Sequence, residues 1–122
     1  MPPAKINLAE KLNQFTEHWS PKIIAPYEDY QFKLAKLKGE FVWHSHPESD
    51  EAFLVLDGVL RLDFRDGSVS VGQGEMLVVP KGVEHKPSAE FPCQVMVLVR
   101  AGTVNTGNAP VSELTSDPTA SI

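Results

Sequence analysis

The sequence lacks most features that would set it apart from ordinary globular proteins. Its single cysteine, Cys93, excludes a disulfide within the chain and favours a reducing, cytoplasmic setting. The longest apolar runs, "AFLVL" and "VMVLV", have about five residues, whereas a membrane-spanning helix needs about 20. The opening "MPPAKINLAEKL" contains no apolar stretch, so no signal peptide is expected.

Basic residues are also scarce. The chain has 11 Lys and Arg against 16 Asp and Glu, a net charge of -5, and no cluster of basic side chains. Nucleic acid and anionic membranes are therefore not expected partners. The 122 residues, 42% of them hydrophobic, predict one domain with one core.

The beginning of the chain carries the only clear helical pattern. Asn7 can cap a helix, and Glu10 follows three residues later, as in a capping box. Leu8 and Leu12 then recur at helical spacing. We expect residues 1–30 to form an N-terminal helix and arm.

Short strands separated by turn residues are expected over residues 31–101. The clearest hairpin is "RLDFRDGSVSV", in which apolar and polar residues alternate and Asp66-Gly67 is a type I′ turn signal. Many such strands predict an all-β sandwich or small barrel. Residues 102–122 are small and polar, so we expect an extended or partly disordered tail, removable from about Asn108 without loss of the fold.

Two histidines and a glutamate interrupt the apolar residues of "FVWHSHPESDEAFLVL". In a strand, His44 and His46 would share one face, and a following strand that folds back would bring Glu51 opposite them. Two imidazoles and a carboxylate suit Zn, Mn, Fe, Ni or Cu. His85, after the tight turn "PKG", would join them if the sheet closes, which spacing alone does not show. Each residue singly is more often structural; together they indicate a metal site.

These residues lie in two motifs that resemble those of the cupins. The first motif, G-x5-H-x-H-x3/4-E-x6-G, is present with one residue fewer before the histidines, and the second, G-x5-P-x-G-x2-H-x3-N, is present with alanine in place of asparagine. The matching positions are, in order, Gly39, His44, His46, Glu51 and Gly58, then Gly74, Pro80, Gly82, His85 and Ala89.

The resemblance implies a small single-domain cupin β-barrel, a double-stranded β-helix or jelly roll. It also implies one divalent transition metal, Zn, Ni, Fe or Mn, held by His44, His46, Glu51 and His85. Neither departure from the motifs falls on one of these four positions. Cupins include dioxygenases, isomerases and non-catalytic proteins that bind a small ligand. We expect a metal-dependent dioxygenase acting on a small organic molecule, with a non-catalytic ligand- or metal-binding cupin and a cupin isomerase as alternatives.

The same alternation of side chains along the strands predicts what surrounds the site. Phe41 and Trp43 are expected to face outward with Leu54 and Leu56, and the resemblance favours a homodimer that covers them. The N-terminal segment is the alternative cover. The predicted inner lining is apolar, chiefly Val42, Phe53, Val55 and Leu77 or Val79, and no Lys or Arg is expected to enter it.

Overall fold

The computed structural model describes all 122 residues as an antiparallel β structure with one short helix. The predicted all-β jelly-roll fold with an N-terminal helix is confirmed. The one helix is neither long nor apolar enough to cross a membrane. The elements are α1 (Leu8–Leu12), β1 (Lys22–Tyr27), β2 (Tyr30–Glu40), β3 (Glu51–Asp57), β4 (Val59–Phe64), β5 (Gly67–Gly72), β6 (Met76–Val79) and β7 (Lys86–Arg100).

The long strand β7 joins the two parts of the barrel. One sheet has the order β1-β2-β7-β3-β6, and the hairpin β4–β5 attaches to the first residues of β7 through pairs such as Arg61 with Ser88. Between β3 and β4 the chain turns at Gly58, which has a φ of +86° and lies so close to β7 that a Cβ would come within 2.8 Å of the Pro92 carbonyl oxygen. Only glycine meets both conditions, which explains this motif position.

The β4–β5 hairpin forms as predicted, but its turn lies one residue earlier than expected. Phe64 pairs with Gly67, so Arg65 and Asp66 are the central turn residues. Neither of the two has a positive φ, whereas a type I′ turn requires positive φ at both central positions. The predicted type I′ turn over Asp66-Gly67 is therefore wrong.

The N-terminal helix is short, and it serves to cover the sheet. The Asn7 side chain accepts a hydrogen bond from the Glu10 amide at 3.1 Å, as predicted, but α1 spans only five residues. Leu12 and Phe15 pack on Leu34 on the outer face of the sheet. The chain thus covers part of that face itself, together with the partly buried Leu8, Ile24, Leu56, Met96 and Ile122.

The main core fills the inside of the barrel with 14 buried residues. On β3, Phe53 and Val55 are buried in it, whereas Leu54 and Leu56 point to the other face and are only partly buried. This alternation is the one that the sequence predicts. Because β3 begins at Glu51, the same phase directs the Glu51 side chain into the barrel.

Residues 101–122 contain no helix or strand, but they hydrogen-bond back to the barrel. The Ile23 amide and carbonyl pair with Ala120 and Ile122 at 2.8 and 3.0 Å. The Asn105 side chain donates to the Trp19 carbonyl at 2.9 Å, and Leu114 packs on the main core. These contacts lead us to predict instead that removal of the chain from about Asn108 onward destabilises the fold.

Candidate metal centre

The four predicted ligands come together inside the barrel. The candidate ligand atoms of His44, His46, Glu51 and His85 all lie within 4.8 Å of one another. The three histidines are no more than 5% exposed. The closure that sequence spacing could not show is thus present, and the four side chains could hold a metal ion.

His44 and His85 are positioned by each other's backbone. The His44 amide donates to the His85 carbonyl at 3.0 Å, and the His85 amide donates to the His44 carbonyl at 2.9 Å. Neither residue lies in one of the strands β1 to β7. This bridge places the two imidazoles side by side, with ring centroids 4.3 Å apart. The two cupin motifs therefore meet at their histidines.

The C-terminal segment holds the chain around His46. The Ser45 amide donates to the Asn108 side-chain oxygen at 2.8 Å, and the Asn108 amide donates to the Ser45 carbonyl at 3.0 Å. A Cβ on Gly107 would overlap the Ser45 carbonyl oxygen and lie 3.0 Å from His46 Nδ1. Nothing in the composition of this segment indicates these contacts, so they could not be predicted from the sequence.

Glu51 is the acidic residue of the turn that faces the histidines. Its Oε1 lies 3.4 Å from Nε2 of both His46 and His85. Asp50 instead accepts a hydrogen bond from the Lys81 amide at 2.8 Å, and Glu48 is exposed. Asp50 therefore braces the turn of the second motif.

Backbone carbonyls orient two of the rings. His44 Nδ1 lies 2.8 Å from the Val42 carbonyl oxygen, and His85 Nδ1 lies 3.0 Å from that of Val83. A carbonyl accepts only, so in the neutral imidazole the proton is on Nδ1 and the Nε2 lone pair faces inward. Such outer hydrogen bonds commonly fix the rings of metal-ligating histidines.

The candidate ligand atoms that point into the site lack hydrogen-bond partners. Nε2 of His46 and His85 and Oε1 of Glu51 are buried without a hydrogen bond. For His85 the contact with Glu51 sets one lone pair against another, which is unfavourable unless a positive charge lies between them. Three nitrogens and one oxygen suit a divalent transition metal. Ligand atoms bound at about 2.0–2.2 Å lie within about 4 Å of one another, so a small contraction of the site would seat the ion.

The electrostatics of the site also favour a cation. Burial, followed by the charge of His85, lowers the pKa of His44 to about 4, so this ring is neutral near pH 7. Burial alone would raise the pKa of Glu51, but the 3.4 Å contacts with His46 and His85, which become favourable when the imidazoles carry a proton, outweigh it and lower the pKa to about 2. Glu51 is thus ionised and stabilised by positive charge, which a proton or a metal ion can supply.

Beside the site lies a small apolar cavity of ≈ 40 Å³, with His44 and Glu51 in its wall. Phe41, predicted to face outward, lines this cavity and stacks on Trp19 with centroids 4.7 Å apart. Residues 41–50 form no strand, so the two-residue alternation does not hold there. The other lining residues are Pro21, Ala35, Leu37, Phe53, Pro87, Val95, Val97 and Asn105.

A lysine also enters the barrel, contrary to expectation. Lys33 on β2 is 4% exposed and lines a second chamber together with Glu51. Burial lowers its pKa, while the charges of Glu51 and Asp117 act in the opposite direction. The sequence does carry a signal for this residue, because Lys33 has the same strand phase as the buried Ala35 and Leu37.

The sequence motifs, the fold and the histidine cluster all point to one family. The Cupin_2 family model, described as a cupin domain, matches residues 32–99, which is more than half of the chain. The chain therefore belongs to the cupin family.

The chain is also similar to individual known proteins. The chain is 38% identical over 81 residues to the uncharacterized protein YdbB of Bacillus subtilis (strain 168), covering 66% of this chain and 72% of that protein. It is 52% identical to the crystal structure of a cupin-2 domain containing protein from Shewanella frigidimarina NCIMB 400, with a TM-score of 0.75 over 76% of this chain and 91% of that one.

A more distant structure, hydroquinone 1,2-dioxygenase PnpCD in complex with Cd²⁺ and 4-hydroxybenzonitrile, is 16% identical with a TM-score of 0.65. It covers 75% of this chain and 70% of that one. At this identity the likeness shows the fold alone.

Proposed function

We propose that this cupin binds one divalent transition metal through His44, His46, Glu51 and His85 and uses it to act on a small organic molecule. The convergence of buried, unpartnered Nε2 and Oε1 atoms carries the proposal. Left without a cation, these atoms would cost several kcal/mol in a buried site. Zn, Ni, Fe and Mn all suit the ligand set.

The reaction that we propose is a metal-dependent oxidation, of the dioxygenase type. When bound, a redox-capable ion supplies open coordination positions and electrons for oxygen chemistry. The chain itself supplies the mixed His and Glu ligands and an apolar wall of Phe41, Phe53 and Val95 that excludes water. The dioxygenase PnpCD shares this fold, which makes such chemistry compatible with the scaffold but does not assign it.

Oxygen uptake by the metal-loaded protein tests this reaction. We expect oxygen consumption with Fe, Ni or Mn over a panel of small diols, diketones and phenolics, and loss of that activity in Glu51→Ala. Matched assays of Glu48→Ala, which removes an exposed carboxylate from the same turn, should show wild-type rates. Equal turnover with Zn would contradict oxygen chemistry and favour an isomerase.

A specific observation supports a second function, binding of a small ligand without catalysis. The side chains around the apolar cavity include no acid or base other than His44 and Glu51, which belong to the metal site. Absence of turnover with every metal, together with saturable ligand binding, would favour this alternative.

We also expect a homodimer. Phe41, which was expected to face outward into its interface, lines the cavity inside the barrel, so a different surface must form the contact. Strand β6 is the edge of the main sheet, and its outward Met76 and Val78 are 62% and 50% exposed. They continue the apolar outer face through their pairs with Leu54 and Ala52, beyond the part that the N-terminal helix covers. Exposed apolar patches of this kind are typical of interfaces.

Sedimentation at micromolar concentration would measure the dimer. Met76→Glu combined with Val78→Glu should give monomers, whereas Val111→Glu, at a residue 87% exposed on the C-terminal segment, should not. A wild-type protein that sediments only as a 13.4 kDa species would contradict the dimer.

A further inference from the structure

A second chamber lies beside the candidate metal centre. It has a volume of ≈ 20 Å³, and Lys33, Glu51, Thr103 and Asp117 are among its lining residues. Glu51 and Val97 also line the apolar cavity, so the two spaces adjoin. A group held at Lys33 would therefore lie next to the carboxylate of the metal site.

The Lys33 ammonium group is poorly satisfied for a group that is 4% exposed. Its Nζ contacts the carbonyl oxygens of Pro118 at 3.3 Å and Thr103 at 3.5 Å. A charged donor normally approaches an acceptor at about 2.7–2.9 Å. Lys33 forms no salt bridge, and an ammonium group has three protons to donate. At least one is available to a ligand.

The charge of the chamber favours an anion. A divalent ion held by three neutral imidazoles and Glu51 leaves one positive charge, and Lys33 adds another. Asp117 also lines the chamber and offsets one of these two charges, so one net positive charge remains; the Asp117 Oδ1 accepts hydrogen bonds from the Thr119 amide and hydroxyl at 2.8 and 2.7 Å. A buried cation beside a metal is a strong recognition element for a carboxylate.

We infer that Lys33 binds one oxygen of the carboxylate of a small organic acid whose other carboxylate oxygen faces the metal. The inference rests on the proposed metal site and names the class of its ligand. Spaces of ≈ 40 and ≈ 20 Å³ admit only a few heavy atoms, far below the roughly 300–1,000 Å³ of pockets for drug-sized ligands. A short carboxylic acid fits this size and charge, whereas a sugar phosphate does not.

The test uses acetate and its uncharged isostere acetamide as probes of Co²⁺-loaded protein. Visible absorption of cobalt and calorimetry would follow binding. We expect acetate to bind at least about tenfold more tightly than acetamide, and Lys33→Met to lower acetate affinity at least about tenfold, since hydrogen bonds to charged groups contribute that much. Acetamide affinity should not change.

Two further variants separate recognition from folding. Lys33→Gln keeps a polar side chain at this position but removes the charge, so it should fold and still lose acetate affinity. Lys36→Met removes another β2 lysine, whose Nζ donates to the Phe15 carbonyl at 2.7 Å on the opposite face, and should bind acetate normally.

The outcomes distinguish this inference from the proposed function. A wild-type protein that takes up no cobalt would overturn the metal site and the inference with it. Cobalt-loaded wild type and Lys33→Met that bind acetate equally would overturn the inference alone. Loss of cobalt together with acetate in both Lys33 variants would also overturn it, because Lys33 would then have a structural role.

Discussion

Replacing His44 and His46 together by alanine is expected to abolish stoichiometric metal binding. The double variant keeps only Glu51 and His85 of the four converging ligands. Loss of an outer hydrogen-bond partner already lowers metal affinity about 10–100-fold, so loss of two direct ligands should exceed that. Metal analysis after dialysis against a defined divalent ion would measure the effect.

His18→Ala is the matched control for the double variant. His18 is exposed and does not belong to the cluster of four ligands, so its removal should leave metal content unchanged. Full metal content in the His44→Ala/His46→Ala protein would show that the site is assigned to the wrong residues.

Deletion of the chain from Asn108 onward is expected to lower both stability and metal affinity. The deletion removes the Asn108 bonds to Ser45, the backbone bonds to Ile23 and the packing of Leu114 on the core. Hydrogen bonds contribute about 1 kcal/mol each and a buried aliphatic side chain about 1.5–3 kcal/mol. We therefore expect a loss of several kcal/mol and a melting temperature lower by about 10 °C or more. An unchanged melting temperature would show that these contacts contribute nothing.

A single glycine substitution separates the effect on the metal from the effect on stability. Gly107 and Gly102 both have positive φ, +54° and +85°, so alanine is strained at each. A Cβ on Gly107 would press on the Ser45 carbonyl and His46, whereas one on Gly102 would meet nothing within 4 Å. Calorimetric metal titration should show about tenfold weaker binding in Gly107→Ala only. Equal affinities in the two variants would contradict a role for this segment in positioning His46.

The sequence predicts best those features that depend on local spacing. Glu51 begins β3 and faces inward because strand alternation holds from that residue onward. The pairing of His44 with His85 is not local: spacing allowed it only if the sheet closed, and the resemblance to cupin motifs supported that closure. Phe41 was misplaced because the alternation was extended into residues 41–50, where the backbone forms no regular strand.

Lys33 and the C-terminal segment illustrate what the sequence leaves out. The inward phase of Lys33 follows from Ala35 and Leu37, but a lysine on an apolar face is normally assigned to solvent. Asn108 contacts Ser45 across 63 positions of the chain, and neither residue carries a periodic pattern. Such contacts depend on the closure of the whole barrel.

Titration of metal-free wild-type protein with Co²⁺ tests the central claim most directly. We expect uptake of one ion per chain, with a cobalt absorption spectrum typical of nitrogen and oxygen ligands and lost on replacement of His85 or Glu51 by alanine. Titration that ends at one equivalent would agree with a single site formed by His44, His46, Glu51 and His85. Absence of uptake, or an unchanged spectrum in the Glu51→Ala and His85→Ala proteins, would contradict it.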